Sequence, residues 1–225
     1  MAAWIEQWLS APRLAPYRAA ASTERAALEL YEWNATISAA FHHDIAHLEV
    51  GLRNAHDRSL CADLEAGEPH WTATPARFFP PARHRAANGR LVDTNDTARA
   101  TIAKARGQAA RGLPRGTEPP PGKVIAELSF GFWRFLTSRR HHDRLWIPLL
   151  HRAFPRGTAR ADLDRPLGRL HGLRNRAAHH ENLLRANLPA RHQDVLDVAA
   201  LLAPELATHL KATSTVPALL GERPR

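Results

Sequence analysis

The sequence predicts an all-α fold, and three observations lead to this prediction. Apolar residues recur at spacings of three and four along most of the chain, as they do on one face of a helix. No stretch sustains the alternation of apolar and polar residues that is typical of a strand, and no fixed-period repeat is present. Proline and glycine gather in a few segments between the periodic ones, as in loops. A chain of 225 residues, 44% of them hydrophobic, can bury its own core, so we predict one domain over residues 1–225.

The N-terminal part is predicted to contain a short helix and then a long helical stretch. Residues 3–10 carry apolar side chains at helical spacing, which predicts a short amphipathic helix that covers the core. Pro12 and Pro16 then mark an irregular passage. The pattern is helical again over 22–66, and because this run exceeds a typical globular helix we expect a break near Trp33-Asn34, with Asn34 as the candidate cap of a second helix. The part after the break has an apolar face formed by Ile37, Phe41, Ile45, Leu48 and Leu52.

Two insertions are expected to interrupt the helices. Residues 62–92 contain several prolines and glycines and are predicted to be loop, and residues 108–121 include a proline run that is typical of a stiff linker. A polar helix is predicted between them, over residues 93–106.

The C-terminal half is predicted to be helical nearly throughout. Residues 124–137 are apolar almost all round, so this helix is expected to be central or to lie in an interface. The remaining helices are predicted over 140–154 with a kink at Pro148, from Ala161 or Pro166 to Arg185, over 190–202 and over 204–212, before a frayed tail at 213–225.

Composition favours a polyanionic partner. The formal net charge is +9, the sequence pI is near 11.0, and only three of the 31 basic residues are lysine. The guanidinium of arginine forks onto phosphate oxygens, so RNA is the first partner to consider.

Other features argue against secretion and membrane insertion. Cys61 is the single cysteine, which excludes an internal disulfide and a cysteine-based zinc module. Glu6 and Gln7 interrupt the apolar N-terminal part, unlike a signal peptide, and no stretch is long enough to span a bilayer. We therefore expect a cytoplasmic protein without a membrane partner.

The stretch from Leu173 to Leu184 gathers the residues best suited to phosphodiester chemistry. Two arginines, an asparagine, two histidines and a glutamate stand between leucines. Arginine binds phosphate oxygens and histidine exchanges protons near neutral pH, so this chemistry requires no metal. If the helix continues through the stretch, its polar residues fall on two stripes. The stripes are Asn175, His179 and Asn182 and, beside them, Arg176 and His180.

The arginine that precedes both stripes poses a geometric problem. Arg174 lies five residues before His179, so the two side chains diverge on an ideal helix. They meet at one phosphate either if Arg174 sits in a loosely wound first turn, which Gly172 permits, or if a second copy of the chain supplies the missing group.

These residues resemble a known signature. Arg174-x4-His179, with Asn175 directly after the arginine, is similar to the R-x(4–6)-H motif of HEPN domains, and LRNRAAHHENLL resembles the form it takes in the Abi-like (abortive infection) branch. The stretches 30–60 and 127–136 and the C-terminal RHQDVLDVAALLAPEL support the match. The resemblance covers most of the chain apart from roughly residues 62–92 and 108–121. It implies a HEPN-like helical bundle with extra N- and C-terminal helices and a long proline-containing insertion.

The resemblance also implies an activity and partners. HEPN nucleases are metal-independent endoribonucleases that build a composite site across a homodimer, and the Abi-like branch implies an abortive-infection or toxin effector. RNA is then the substrate, no cofactor is required, and an antitoxin protein or RNA is a further partner.

The catalytic interpretation gives each polar residue a role. His179 takes the proton of the ribose 2′-hydroxyl, which attacks the adjacent phosphorus, and His180 or the partner subunit's His179 protonates the leaving 5′-oxygen. Arg174 or Arg176 stabilises the pentacoordinate phosphate. The products are a 2′,3′-cyclic phosphate and a 5′-hydroxyl, and DNA is not cut because it lacks the nucleophile. The supporting residues are Asn175, Arg176 and Glu181, with Asn175 either orienting His179 or binding a phosphate oxygen.

Several alternatives stay open beside this interpretation. The charged residues are also compatible with a solvated face of an arginine-rich helix, although the small Ala177-Ala178 pair beside the histidines lets a ligand approach closely. They are compatible as well with an RNA-binding or regulatory HEPN module that does not turn over. Glu49, Arg53 and Asn54 form either a buried polar tie between helices or a supporting shell for the site. A metal site is disfavoured, because adjacent histidines point about 100° apart on a helix. Three doublets followed by an acid were considered, at His42-His43-Asp44, His141-His142-Asp143 and His179-His180-Glu181.

Overall fold

A computed structural model describes residues 3–85 and 87–224 of the chain. Met1, Ala2, Ala86 and Arg225, which belong to the predicted N-terminal segment, insertion and tail, lie outside the described residues. Within the described ranges the predicted all-α fold is confirmed, because helices dominate and the strands form only one short hairpin. The helices are α1 (Ala3–Leu9), α2 (Ala11–Arg18), α3 (Glu24–Cys61), α4 (Pro75–Phe78), α5 (Asp96–Ala109), α6 (Pro121–Ala126), α7 (Phe130–Leu136), α8 (Arg160–Ala178), α9 (Leu188–Leu202), α10 (Pro204–Thr213) and α11 (Val216–Gly221).

The chain divides into two compact units. Unit 1 consists of Met1–Leu48 and Arg165–Arg225, and unit 2 consists of Glu49–Asp164. The long helices α3 and α8 each contribute residues to both units. The assignment of residues 1–225 to one domain stays a prediction.

Two short helices open unit 1. Helix α1 covers the core as predicted, because Ile5 and Leu9 pack with Leu14 of α2. The irregular passage predicted at Pro12 and Pro16 is wrong, since both lie within α2. A proline in the first turn of a helix removes only an amide that has no helical partner, so Pro12 is compatible with this position.

Helix α3 runs without interruption for 38 residues, so the break predicted near Trp33-Asn34 is wrong. Asn34 does not cap a helix. Its buried side chain instead bonds a distant segment of unit 1, described below, and this leaves the helix backbone undisturbed. The predicted apolar face is confirmed, since each of its five residues is buried.

Unit 2 contains the strands that the sequence analysis did not predict. Within the predicted loop, β1 (Arg83–Arg85) pairs antiparallel with β2 (Leu91–Asp93), and Arg83 lies opposite Asp93. Five of the six strand residues are exposed, so no alternation of apolar and polar residues marked them. The polar helix predicted over 93–106 is present as α5, three residues later.

The central apolar helix predicted over 124–137 is two helices, α6 and α7. Ser129 has an extended backbone and separates them, yet the apolar side chains on both sides are buried as expected. The helix predicted over 140–154 is also wrong. Short 3₁₀ and π turns replace it, at Arg139–His141, His142–Trp146 and Leu150–Ala153.

The last three helices belong to unit 1. Helices α9 and α10 confirm the predicted pair, with Pro204 at the first position of α10. The frayed tail predicted at 213–225 is wrong for α11, because Val216 is fully buried. The indole nitrogen of Trp33 donates to the Leu219 carbonyl at 2.7 Å, and the Arg223 guanidinium lies 5.3 Å from the Trp33 ring centroid.

Candidate functional site

The predicted catalytic stretch straddles a helix end. Helix α8 stops at Ala178, seven residues before the predicted end at Arg185. His179 and His180 therefore lie in a turn, and the two helical stripes predicted for the polar residues are wrong. Arg174 sits in the last turns of α8, and not in a loosely wound first turn.

Two backbone hydrogen bonds from residues beyond the helix to carbonyls of its last turn close this end of α8. The His180 amide donates to the Ala177 carbonyl at 3.0 Å, and the Glu181 amide donates to the Arg176 carbonyl at 2.8 Å. These two bonds define a Schellman motif, in which the residue after the cap takes a left-handed conformation and is usually glycine. Here that residue is His180, with a φ of 54°. A histidine in this conformation is strained, and such strain concentrates at functional positions.

Replacing His180 by glycine is expected to stabilise the fold. Glycine adopts the left-handed conformation without a steric penalty, and after its larger chain entropy is subtracted we expect a gain of roughly 0.5–1 kcal/mol in the free energy of unfolding. Urea denaturation followed by circular dichroism measures this. His179→Gly is the matched control and is expected to destabilise, because residue 179 does not have a positive φ. Equal effects of the two substitutions would contradict the assigned strain.

Two side chains from the N-terminal helices hold the turn within unit 1. The Leu183 amide donates to the Asn34 side-chain oxygen at 2.7 Å, and the Asn34 amide group lies 3.5 Å from the Glu181 carbonyl oxygen. Arg13 of α2 donates to the His180 carbonyl at 2.6 Å. The backbone of the turn is thus fixed on both sides of His180.

Loss of the Asn34 side chain is expected to cost stability. Asn34→Ala leaves the buried Leu183 amide without its acceptor, which costs about 1–3 kcal/mol in the free energy of unfolding. Thr36→Ala is the control on the same helix, because Thr36 is exposed and bonds only its own helix at Glu32; we expect a change below about 0.5 kcal/mol. Chemical denaturation compares them, and an Asn34→Ala loss no larger than the control would contradict this role.

His180 shares a cavity with His42. The cavity has a volume of about 310 Å³ and lies entirely in unit 1, between α3 and the end of α8. Small side chains make this space, as expected for the alanine pair before the histidines. Its lining consists of Tyr31, Asn34, Ala35, Ser38, Ala39, His42, Ala177, Ala178 and His180.

The environment of His42 favours a neutral ring. Burial lowers the pKa of His42 below its ordinary value, and electrostatic interactions with Arg174 and His180 lower it further. A neutral imidazole at physiological pH can accept a proton. From the sequence His42 is a candidate only as part of a metal doublet, although it lies within the stretch 30–60 that supports the family resemblance.

The other predicted site residues do not line the cavity that His42 and His180 share. His179 and His180 are both exposed, but only His180 lines the cavity. The amide nitrogen of Asn175 lies 3.3 Å from the Nε2 atom of His171, one helical turn away. Arg176 donates to the Asn182 carbonyl and lies 3.5 Å from the Glu181 carboxylate, so both charges are used to brace the turn.

The second predicted cluster lies in the other unit. Glu49 and Arg53 are half-buried and Asn54 is exposed, all on the part of α3 that belongs to unit 2. Their supporting role stays a prediction.

A larger basic pocket adjoins the same turn in unit 1. It has a volume of about 630 Å³, and its lining includes Arg176, Arg185 and Arg223. No histidine lines it. Such a pocket can hold a phosphate group but offers no proton acceptor.

The histidine doublets do not assemble a metal site in the described part of the chain. The rings of His43 and His47 are 4.9 Å apart, but the residues whose ligand atoms converge within metal-binding distance are Asp57, Cys61 and His70 of unit 2. Asp57 already accepts hydrogen bonds from His70 and Trp71. Burial, followed by the charge of Asp57, raises the pKa of Cys61 to about 11, so the thiol keeps its proton at neutral pH.

Comparison with family models, with curated proteins and with solved structures finds no match for this chain. Among the described helices, none combines the length and apolar character needed to cross a membrane.

Proposed function

We propose that this protein is a metal-independent endoribonuclease of the HEPN type, acting as an abortive-infection or toxin effector. The observation that carries the proposal is the cavity that His42 and His180 line together. Arg174 does not line this cavity, but its charge contributes to the lowered pKa of His42. Two imidazoles and a guanidinium are sufficient to cleave RNA without a metal. The effector role rests on the family resemblance.

The proposed reaction assigns the base to His42. Its neutral ring takes the proton of a ribose 2′-hydroxyl, and the 2′-oxygen attacks the adjacent phosphorus. The bond from phosphorus to the 5′-oxygen breaks as His180, in its protonated form, gives that oxygen a proton. Arg174 stabilises the charge on the pentacoordinate phosphate. RNA ending in a 2′,3′-cyclic phosphate and RNA beginning with a 5′-hydroxyl are the products.

This assignment replaces His179 by His180 as the catalytic histidine and keeps the family motif. The family signature allows four to six residues between arginine and histidine, so both His179 and His180 satisfy it with Arg174. His180 is favoured because it lines the cavity and because its strained backbone is fixed by Arg13 and the Schellman bonds.

The second imidazole need not come from another subunit. Both His42 and His180 belong to one chain, so the proposed acid and base are complete within a protomer. The homodimer with a composite site stays a prediction, as does the antitoxin partner. If the active protein sediments as a monomer, the prediction of a composite site is wrong and the proposed chemistry is unaffected.

A nuclease assay in EDTA tests the proposal. Purified protein is incubated with a mixed RNA pool and, separately, with DNA of the same sequences. We expect the RNA to be cut into fragments with 2′,3′-cyclic phosphate ends, visible by mass spectrometry, and the DNA to remain intact because it lacks the 2′-hydroxyl. Cutting of DNA, or RNA cutting that stops in EDTA, would contradict the mechanism.

A non-catalytic RNA-binding or regulatory HEPN module is the second candidate. The pocket lined by Arg176, Arg185 and Arg223 favours it, because three guanidiniums without a histidine suit binding alone. Tight RNA binding with no cleavage by the wild-type protein would support this candidate over the nuclease.

A further inference from the structure

Two tryptophans on α1 face solvent side by side. The side chains of Trp4 and Trp8 are 58% and 55% exposed, while Ile5 and Leu9 on the opposite face of the same helix are buried. The two indole rings stack with centroids 5.9 Å apart and an angle of 18° between their planes. Large aromatic side chains normally contribute to a core, so an exposed stacked pair marks a binding surface.

This aromatic pair is continuous with the candidate site. Trp8 meets Tyr31 edge to face, with ring centroids 5.9 Å apart, and Tyr31 is part of the cavity lining that includes His42 and His180. Trp4, Trp8 and Tyr31 therefore form an aromatic row that leads from the surface of unit 1 to the proposed catalytic histidines. All of these residues belong to one unit.

We propose that Trp4 and Trp8 are a stacking platform for unpaired bases of single-stranded RNA, next to the linkage that is cut. This inference rests on the proposed function and names its substrate class. Every base offers a flat face to an aromatic ring, so such a platform binds single strands with little sequence preference. In a paired helix the bases are already stacked on one another, so the platform discriminates against duplexes.

Charge favours RNA over an anionic membrane as the partner of the two tryptophans. The chain carries a net charge of +9, which attracts phosphate. Helix α1 itself carries Glu6 and no basic residue, whereas helices that lie on anionic membranes place lysine or arginine on their polar face. The guanidinium of Arg13 donates to the His180 carbonyl and so places a positive charge beside the proposed catalytic turn.

A binding experiment with an uncleavable strand tests the platform. A short fluorescein-labelled 2′-O-methyl RNA lacks the nucleophile, so its affinity can be measured by anisotropy without turnover. For the double variant Trp4→Ala/Trp8→Ala we expect single-strand binding to weaken roughly 5- to 100-fold, the range expected for loss of a stacked base. Trp4→Phe/Trp8→Phe keeps flat rings and is expected to restore most of the affinity. The same strand annealed to its complement is expected to bind weakly, with little difference among the three proteins.

Four outcomes would overturn the platform: unchanged single-strand affinity in the alanine variant, equal loss for single strand and duplex, no recovery with phenylalanine, or a requirement for the tryptophans only in binding anionic vesicles. The cleavage assay separates this inference from the proposed function. If the alanine variant cuts RNA with an unchanged KM, the platform is wrong and the nuclease stands. If strand binding depends on the tryptophans but the wild type cuts nothing, the platform stands and the nuclease is wrong.

Discussion

Alanine at His42 or at His180 is expected to lower the rate of RNA cleavage by roughly 100- to 10,000-fold, the range for loss of a general acid or base. The two rings line one cavity, and no other histidine does so among the described residues that border it. His179→Ala is expected to retain most of the activity, since His179 does not line that cavity. Single-turnover cleavage of a labelled RNA measures the three variants.

The matched control is the neighbour of the proposed base. His43→Ala removes an exposed ring that bonds Asp44 and does not line the cavity, so cleavage should be nearly normal. Because the pKa of His42 is lowered, we expect the base to lose activity at a lower pH than an ordinary histidine would. If His179→Ala were as damaging as His180→Ala, the assignment of His180 would fail and the four-residue spacing would identify the catalytic histidine.

Acidification is expected to destabilise unit 2 through a histidine in its core. His56 is fully buried against Trp133 and Phe154, and burial lowers the pKa of its ring to about 3. In the unfolded chain the His56 ring takes up a proton near pH 6.5, whereas in the folded chain it stays neutral until about pH 3. The contribution of His56 to the free energy of unfolding is therefore fully present above pH 6.5 and is lost progressively as the pH falls toward 3. We expect His56 alone to remove about 2–3 kcal/mol from the free energy of unfolding between pH 7 and 4.5.

The substitution His56→Leu isolates this effect. Leucine fills the site without a titrating group, and no hydrogen bond is lost because neither ring nitrogen of His56 has a partner among the described residues. Urea denaturation at several pH values should show a smaller acid loss for the variant, with His141, whose pKa burial lowers to about 4, responsible for part of the remainder. His84→Gln, on the exposed hairpin, should keep the wild-type pH dependence. An unchanged acid loss in His56→Leu would refute the assignment.

Burial patterns were predictable from the sequence, whereas helix ends were not. The apolar face from Ile37 to Leu52 is buried because the helical period alone decides which side chains share a face. The end of α8 carried no glycine, which is the usual signal for a left-handed cap, so the pattern predicted a helix that continues to Arg185. The hairpin of unit 2 was not predictable either, because its strands are almost entirely exposed and show no alternation of apolar and polar residues.

The residues of the candidate site were partly predictable, and their chemistry stays a prediction. The arginine and histidine types in 174–180 indicated phosphodiester cleavage, and the alanine pair 177–178 indicated a close approach. His42 was missed as a partner because its proximity to His180 arises from the turn, which the hydrogen bonds of Asn34 and Arg13 fix. Such long-range bonds leave no periodic signal in the sequence. Asn34 was predicted to cap a helix because local patterns were the only information about it.

The hydrogen bond between Asn34 and Leu183 joins residues that are 149 positions apart in the chain. During synthesis on the ribosome, His42 is added 138 residues before His180 (180 − 42), which lies in the turn with which it forms a cavity. A chain that terminates before that turn carries one of the two histidines and none of the closing bonds. Premature termination before the turn is therefore expected to yield fragments that lack the proposed activity, because the candidate site is complete only after the turn has been synthesised.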